Sequence, residues 1–285
     1  MSEIVFVNGQ FHPKEEAVIS VFDRGFIFGD GVYEVVPVVA GAMVDKDYFL
    51  QRLERSLGEL RIAWPCDPRE LLATLGSLIS RNEISEGMVY VQITRGIADR
   101  EFGFPKGASP TLMAFAKEAT FLDSPEAREG IAVMSTPDLR WKRRDIKSVN
   151  LLGQVLAKQD AIERGGKEGW MIEDGYITEG VSSSAYIVKN GVIITRPLTN
   201  EILPGIRRRT LLELCAEENI SLDQRLFTLE EAFAADEAFI SSATTIVHPV
   251  VSIDNQRIAD GKPGPITQKL RARYLERLHD EAENA

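Results

Sequence analysis

A lysine beside a helix pattern is the first residue of this chain whose type and place could do chemistry. Lys147 follows a strand-like stretch at 131–134 and precedes an amphipathic helix pattern predicted over 151–164. A cation at a helix N-terminus faces the positive end of the helix dipole, which favours the neutral amine. A neutral amine can condense with an aldehyde or carry protons. Most lysines at helix starts are solvated and inert, so Lys147 alone does not establish catalysis.

A carboxylate in Thr178-Glu179-Gly180 is the second candidate, and we predict that it lies in a turn leading into a strand. Its simplest role is to accept hydrogen bonds from nearby backbone N–H groups. A buried glutamate could instead bind a protonated cofactor ring nitrogen and so help that ring accept electrons. Both interpretations stay open from the residues alone.

Two turns could bind an anion. The segment 203–207, Leu-Pro-Gly-Ile-Arg, stands before a helix pattern at 207–219, and the polar segment 241–245 follows a predicted strand. The N–H groups at a helix start form a natural anion site. Ordinary loops carry the same residues, so the pattern is weak by itself.

A glycine-rich segment at 23–36 leads into a strand pattern. A dinucleotide loop needs a third, correctly spaced glycine and a following helix, and this segment has neither. Tight turns explain the glycines, and Tyr33 and Glu34 read as plain strand residues.

The elements that must position these residues follow from hydrophobic periodicity. A helix should open at Asp67-Pro68, a good N-cap with proline at the first helical position. Asn190-Gly191 predicts a hairpin. The remaining predictions are strands at 4–7, 17–21, 32–39, 88–94, 111–116, 131–134, 186–188, 192–195, 238–240 and 250–253, and helices at 48–61, 151–164, 207–219 and 266–279. The pattern predicts an α+β chain of two domains, 1–118 and 124–285, joined by a linker at 119–123.

Composition excludes several classes of function. The 285 residues include 33 Lys and Arg against 43 Asp and Glu, a net charge of −10 that argues against a nucleic-acid partner. The most apolar window, 35–44, is interrupted by Pro37 and Gly41 and is too short to span a bilayer. Cys66 and Cys215 show no metal or redox spacing, and the chain starts without a signal-peptide pattern. We therefore expect a cytoplasmic protein with no metal site and no membrane partner.

The segments 23–36, 145–161 and 178–180 resemble the fold-type IV (class IV) pyridoxal phosphate transaminases, and within that family the D-amino acid aminotransferase group. The resemblance runs along nearly the whole chain. It implies a two-domain fold with a smaller N-terminal α/β domain and a larger C-terminal domain with a β-barrel-like core. It also implies pyridoxal phosphate as cofactor and a homodimer.

The resemblance implies a role for each matching residue. Lys147 would be the Schiff-base lysine and the proton shuttle between the substrate α-carbon and the cofactor C4′. Glu179 would pair with the pyridine nitrogen, and Arg52 would bind the cofactor phosphate. Without the resemblance, Arg52 is expected to be a solvated residue of the helix predicted at 48–61. The backbone N–H groups of Ile206 and Arg207, with the turn at Ala243 and Thr244, would complete the phosphate site.

On the substrate side, Tyr33 and Arg100 match the residues that hold the α-carboxylate, the arginine coming from the partner subunit. Val35, Phe102 and Ser183 are expected to line the same site. The chain departs from the family pattern at Phe102, where a histidine is usual, and Phe102 cannot donate a hydrogen bond. It departs again at Arg207 and Ala243, where threonines are usual, and we expect the Arg207 guanidinium either to reinforce phosphate binding or to face solvent.

The leading interpretation is ping-pong transamination of D-amino acids with a 2-oxo acid such as pyruvate or 2-oxoglutarate. Within the fold, a branched-chain L-amino acid transaminase is the alternative, but Val35-Val36 after Glu34 favours the D-specific group. An (R)-amine transaminase and, less well, an aminodeoxychorismate lyase are further alternatives. A non-catalytic binding protein on this fold should have lost Lys147 or Glu179, and both are present.

Overall fold

The computed structural model describes residues 3–284, which divide into two compact units. Unit 1 comprises Met1–Ala119, Ile146–Asn150 and His279–Ala285, and unit 2 comprises Thr120–Asp145 and Leu151–Leu278. The contiguous division predicted from the sequence does not include the return of the chain to unit 1 at Ile146–Asn150 and again at its C-terminal end. The first of these returns carries Lys147.

Unit 1 is built on a six-stranded antiparallel sheet in the order β2-β1-β6-β5-β3-β4. Its strands are β1 (Ile4–Val7), β2 (Gln10–Pro13), β3 (Gly31–Val39), β4 (Ala42–Met43), β5 (Gly87–Thr94) and β6 (Thr111–Glu118). Its helices are α1 (Arg24–Phe28), α2 (Lys46–Leu60) and α3 (Pro68–Arg81).

Local sequence explains most of these elements. The α3 helix begins as predicted, because the Asp67 side chain accepts a hydrogen bond of 2.8 Å from the Arg69 N–H and Pro68 occupies the first turn. The α2 helix buries Phe49, Leu53 and Leu57, the apolar stripe that predicted it. The strand predicted at 17–21 is wrong, because this stretch is irregular and leaves Val18 and Val21 exposed.

Unit 2 is built on a mixed nine-stranded sheet, a curled half-barrel, in the order β12-β11-β10-β13-β14-β7-β8-β9 with β15 added beside β14. Its strands are β7 (Ile131–Pro137), β8 (Glu168–Glu173), β9 (Tyr176–Gly180), β10 (Ser184–Lys189), β11 (Val192–Thr195), β12 (Ser221–Gln224), β13 (Glu237–Ser241), β14 (His248–Ile253) and β15 (Gln256–Arg257). Its helices are α4 (Pro125–Glu129), α5 (Leu152–Glu163), α6 (Ile206–Glu217), α7 (Leu229–Phe233) and α8 (Pro265–Glu283), the last of which passes into unit 1 at His279.

The core of unit 2 lies on this sheet, where Trp170, Phe227 and Ile240 are completely or almost completely buried. The predicted hairpin joins β10 to β11, and both Asn190 (φ 51°) and Gly191 (φ 77°) adopt the left-handed conformation that its turn needs. The two sheets and their helices confirm the predicted α+β class. Within residues 3–284, no helix combines the length and apolar character needed to cross a membrane.

The α5 helix departs from the usual pattern of a surface helix. The residues that predicted it, Leu152, Val155, Leu156 and Ile162, are all more than half exposed, whereas the helix buries Ala157 and Ala161. An apolar helix face open to solvent is uncommon in a monomer and is typical of an interaction surface.

Candidate active site

Unit 1 holds the backbone of Lys147 by pairing it with the start of β3. The Tyr33 N–H donates to the Lys147 carbonyl at 3.0 Å, and the Val149 N–H donates to the Gly31 carbonyl at 3.0 Å. On the other flank of β3, a side chain at Gly31 would come within 2.9 Å of the Ile93 carbonyl on β5. Glycine therefore allows β3 to approach β5 closely at the point where the lysine segment joins it.

The position of Lys147 differs from the one that the sequence predicted. It lies in a strand-like segment of unit 1, and α5 begins only at Leu152, so the expected effect of a helix dipole on its amine has no structural basis. The Lys147 N–H donates to the buried Ser56 hydroxyl of α2 at 3.3 Å.

The Lys147 amine lies 4.2 Å from the centroid of the Tyr33 ring. Throughout residues 3–284, no carboxylate forms an ion pair with the Lys147 Nζ. Lys147 is thus a half-buried lysine whose amine lies on an aromatic face and is not engaged by a carboxylate of the described chain, which leaves it available to react as a nucleophile.

An aromatic ladder fixes the Tyr33 ring. Tyr33 stacks on Tyr90 with ring centroids 5.6 Å apart, and Tyr90 stacks on Phe115 at 4.9 Å. Burial, with a contribution from Tyr33, raises the pKa of Tyr90 to about 12. Tyr90 therefore stays protonated near neutral pH and donates to the Gln92 side chain at 2.9 Å. Val35, the next residue on the same face of β3, lies half-buried opposite Tyr90.

Arg52 forms a buried, bidentate ion pair with Glu34. The Arg52 Nε and Nη2 donate to the two Glu34 carboxylate oxygens at 2.8 and 2.7 Å. The Glu34 side chain is fully buried, and that of Arg52 is 9% exposed. The residues alone describe Arg52 as solvated and Glu34 as a plain strand residue, and both of those descriptions are wrong.

Arg100 lies in the connection 95–110 between β5 and β6, and it is exposed. Its guanidinium lies 5.6 Å from the Phe28 ring centroid and 5.8 Å from that of Phe102. Phe102 itself is 80% exposed and packs against Phe28 at 5.5 Å. In the described part of unit 1, Arg100 has neither a hydrogen bond nor a ring contact with Tyr33 or Lys147. One copy of unit 1 thus brings Lys147 and Tyr33 together but leaves Arg100 apart from them.

In unit 2, Glu179 lies within β9 and not in the turn that the sequence predicted. Its carboxylate accepts a hydrogen bond from the Arg140 Nη1 and from the Leu203 N–H, at 3.1 and 3.2 Å to its two oxygens. Asp138 holds the other edge of the Arg140 guanidinium, accepting from Nε at 2.9 Å and from Nη2 at 2.7 Å. Arg140 therefore connects two buried carboxylates.

Burial and the Arg140 guanidinium act in opposite directions on the pKa values of the two carboxyl groups in this cluster. Burial raises the pKa of the Glu179 carboxyl, and the neighbouring Arg140 guanidinium limits that rise. Burial acts in the same direction on Asp138, but hydrogen bonds from Arg140 and Thr178 outweigh it and lower the pKa of Asp138. Glu179 is thus a carboxylate whose charge depends on a cation beside it.

Ser183 and the start of α6 add polar groups to unit 2. The Ser183 hydroxyl is buried and has no hydrogen-bond partner among the residues that the structure describes. Gly205 is the N-cap of α6 and makes no side-chain capping bond, and a Cβ there would lie 3.0 Å from the Ser184 hydroxyl. Ile206 begins the helix, so its N–H belongs to the first turn, where N–H groups are available to an anion.

Arg207 is buried, so the expectation that its side chain faces solvent is wrong, whereas phosphate binding by its guanidinium stays a prediction. Its Nη1 donates to the Tyr274 hydroxyl of α8 at 3.2 Å, and its Nη2 donates to the Ala243 carbonyl at 3.3 Å. The guanidinium also lies 5.0 Å from the Tyr274 ring centroid. Arg207 therefore anchors the turn of Ala243 and Thr244, which follows β13, to α8.

The sequence predicted Arg52, Glu179 and Arg207 as site residues, but it did not predict the residues that they contact. Glu34, Arg140 and Tyr274 are the partners of Arg52, Glu179 and Arg207. One signal was present for Glu34. Strand alternation places it on the face opposite Tyr33, and a buried glutamate requires a cation or a proton.

Comparisons with known proteins agree on one family. The amino-transferase class IV family matches residues 31–253. The D-alanine aminotransferase of Bacillus licheniformis is 39% identical over 269 residues, which cover 93% of this chain and 94% of the relative. The D-alanine aminotransferase of Staphylococcus haemolyticus is 38% identical over 278 residues, which cover 95% and 98%.

Among solved structures, the branched-chain amino acid aminotransferase of Escherichia coli superimposes with a TM-score of 0.90 at 25% identity, covering 99% of this chain and 96% of that one. The branched-chain aminotransferase of the archaeon Thermoproteus uzoniensis, solved with norvaline, gives a TM-score of 0.89 at 23% identity, with 100% and 97% coverage. The second likeness shows the fold alone.

Proposed function

Because the chain belongs to the class IV aminotransferases, we propose that it moves the amino group of D-amino acids to a 2-oxo acid such as pyruvate or 2-oxoglutarate. Enzymes of this family depend on pyridoxal phosphate. The observation that carries the proposal is the Lys147 amine on the Tyr33 ring with no carboxylate partner in the described chain. The D-alanine aminotransferase relatives support the D-amino acid as donor.

The residues of each unit suit this cofactor. A buried carboxylate such as Glu179 is the acceptor that a protonated ring nitrogen needs, and the orphan hydroxyl of Ser183 offers one more polar contact. Phosphate binding needs N–H groups and a cation, which Ile206, the Ala243–Thr244 turn and Arg52 would supply. Arg207 would contribute its backbone N–H, since its side chain anchors the turn.

When bound, pyridoxal phosphate supplies an aldehyde for amines and a ring that accepts electrons. The protein provides position and proton transfer. The Lys147 Nζ accepts the proton from the substrate α-carbon, and the Tyr33 ring keeps that amine on one face. Arg140 limits the rise that burial causes in the pKa of Glu179, and so favours the negative charge that a protonated ring nitrogen would need. Two half-reactions with different acids on one site give ping-pong kinetics.

We assign the substrate α-carboxylate to Tyr33 and Arg100, with Val35 and Phe102 as lining residues. Arg100 is an exposed guanidinium with only ring contacts in the described chain, which leaves its donors available to a carboxylate. Phe102 offers an exposed apolar ring where a hydrogen-bond donor is usual. An apolar ring in place of a hydrogen-bond donor favours the binding of apolar amino acids over dicarboxylic ones.

A homodimer would explain two features of the chain. The exposed apolar face of α5 needs a covering surface. Arg100, which one copy leaves apart from Lys147, could act at the site of the partner subunit. The test replaces Leu156 with Asp and measures mass by light scattering. A monomer supports the role of α5, and an unchanged dimer excludes it.

We also place the enzyme in the cytoplasm, where Cys66 and Cys215 would stay free thiols as they are in the structure.

Branched-chain L-amino acids are the second candidate donors, because the Escherichia coli branched-chain enzyme has the same fold at 25% identity. The D-alanine aminotransferases are closer in sequence, at 38–39% identity, and therefore carry more weight.

The role of Lys147 is tested by Lys147→Ala against Lys117→Ala, an exposed lysine of the same unit. We expect Lys147→Ala to abolish transamination while the circular dichroism spectrum persists, and Lys117→Ala to retain full activity. Turnover by purified Lys147→Ala would remove the lysine from its assigned role.

A further inference from the structure

The connection of unit 1 that carries Arg100, residues 95–110, is held by one buried arginine, Arg24. Arg24 belongs to α1 and is 3% exposed. Its Nη1 donates to the Glu101 carbonyl at 2.5 Å and its Nη2 to the Phe102 carbonyl at 3.5 Å. These are the two residues that follow Arg100. The Arg24 guanidinium therefore forms hydrogen bonds with the backbone directly beside the exposed Arg100.

In the described chain, few other hydrogen bonds hold the backbone of the connection next to Arg100. Residues 99–104 are exposed and contain no regular secondary structure. Long connections of this kind are mobile unless something ties them down, and they commonly carry functional residues. The Glu101 N–H bonds only to the nearby Asp99 carbonyl, at 2.8 Å, which closes a local turn and does not attach it to the sheet.

Arg24 is itself held by a second charged pair. Its Nε donates to Asp30 at 2.8 Å, and the same carboxylate accepts from the Arg95 Nε and Nη2 at 2.8 and 2.9 Å. Burial opposes ionisation of Asp30, but the Arg95 and Arg24 guanidinia outweigh it and hold the pKa of that carboxyl below its usual value. Asp30 therefore keeps its charge at neutral pH and fixes the direction in which Arg24 donates.

Arg95 secures the far end of the same connection. Its guanidinium lies 3.7 Å from the Phe104 ring centroid and donates to the Leu60 and Arg61 carbonyls at the end of α2, at 2.7 and 3.0 Å. The Phe28 ring completes the arrangement, because Arg24 lies 4.7 Å and Arg100 5.6 Å from its centroid. The guanidinium groups of Arg24 and Arg100 therefore both lie near the same aromatic ring, that of Phe28 in α1.

We propose that Arg24 is a positioning residue for substrate binding, because it fixes the 101–102 backbone and so sets the direction of the Arg100 guanidinium. The inference rests on the proposed function only in assigning the substrate carboxylate to Arg100. Arg24 is buried and donates to the 101–102 backbone, so its effect on Arg100 would pass through that backbone.

Hydrogen exchange and kinetics together test the proposal on the purified, cofactor-loaded enzyme. The variants are Arg24→Gln, Arg24→Lys and Arg100→Ala. The matched control is Arg81→Gln, which removes another guanidinium of unit 1 that lies over an aromatic ring, Phe11, at 4.4 Å. Each variant is assayed for KM and kcat with D-alanine and for amide exchange across residues 97–104.

Arg24→Gln should raise the KM for D-alanine about 10-fold, the factor expected for loss of one charge-assisted hydrogen bond, and leave kcat within about threefold. Exchange across 97–104 should accelerate while exchange in β5 and β6 stays unchanged. Arg24→Lys should give a smaller change of the same kind, because one ammonium cannot hold Asp30 and both carbonyls together. Arg81→Gln should behave as wild type.

The outcomes separate this inference from the function on which it rests. If Arg100→Ala leaves the KM for D-alanine unchanged, the assignment of the carboxylate to Arg100 fails. If Arg100→Ala raises the KM but Arg24→Gln changes neither KM nor exchange, the positioning role of Arg24 is overturned and the proposed function stands. If Arg24→Gln does not fold, Arg24→Lys decides the matter, and wild-type KM and exchange in that variant overturn the proposal.

Discussion

Arg140 should determine both the stability of unit 2 and the charge of Glu179. Replacing it with methionine keeps the bulk of the side chain and removes the cation between two buried carboxylates, whose side chains are 0% (Asp138) and 6% (Glu179) exposed. Removing one partner of a buried ion pair costs about 3–5 kcal/mol. Asp138 keeps its hydrogen bond from Thr178 at 2.7 Å, so we expect the lower end, about 3 kcal/mol.

Calorimetry of the variant, with and without added pyridoxal phosphate, measures this cost. For a unit of this size a loss of 3 kcal/mol corresponds to a fall in Tm of about 6–12 °C. Without Arg140 the native-state pKa of Glu179 rises further above its unfolded value of about 4.3, so the folded variant binds a proton more tightly. The deficit in Tm should therefore shrink as the pH falls from 8 towards about 5.

The control is Lys167→Met, which removes an exposed pair of unit 2 with side chains 67% (Lys167) and 37% (Glu126) exposed. Such surface pairs contribute about 0–1 kcal/mol, so its Tm should stay close to that of the wild type. A Tm of Arg140→Met that matches the control at every pH would refute the reasoning, because it would mean that the cluster does not need its cation.

The remaining predictions concern Arg52 and His248. Glu34→Gln should leave the buried Arg52 guanidinium without its counter-charge, lower the free energy of unfolding by about 3 kcal/mol and weaken pyridoxal phosphate binding; urea unfolding and cofactor titration check it, and wild-type values in both would contradict it. Burial, helped by the nearby Arg271 and opposed by Glu126, lowers the pKa of His248 to about 4. Since the unfolded chain binds that proton below about 6.5 and the native chain only below about 4, stability should fall by up to about 3 kcal/mol as the pH drops through this window. The variant His248→Gln should flatten that part of the curve, and an unchanged slope of unfolding free energy against pH would exclude His248 as its source.

Elements coded by short stretches of sequence were predictable. The α3 helix carries its own N-cap and proline, and the β10–β11 hairpin carries its own turn residues. Neither depends on a distant part of the chain. Glu179 was misplaced for the opposite reason, because β9 becomes a strand through its pairing with β8 and not through its own alternation.

The roles of charged residues depended on partners that are distant in the sequence. The sequence describes Arg52 as a solvated helix residue, but β3 places Glu34 against it. It describes Glu179 as a turn residue, but Arg140, in the segment that follows β7, forms an ion pair with it. Only the family resemblance singled out Arg52, and neither the resemblance nor the sequence pattern predicted the partners of Arg52 and Glu179. For α5 the hydrophobic periodicity correctly predicted a helix. Its apolar face is nevertheless exposed, because no element in the described part of this chain covers it.

The donor preference tests the central claim most directly. Purified enzyme is given D-alanine, L-alanine, D-leucine or L-leucine with 2-oxoglutarate, and kcat/KM is measured for each donor. The proposed function predicts turnover of the D-enantiomers and at least about a 100-fold lower kcat/KM for the L-enantiomers, a difference of about 2.7 kcal/mol in transition-state binding. Faster transamination of L-leucine than of D-alanine would contradict it and identify a branched-chain enzyme instead.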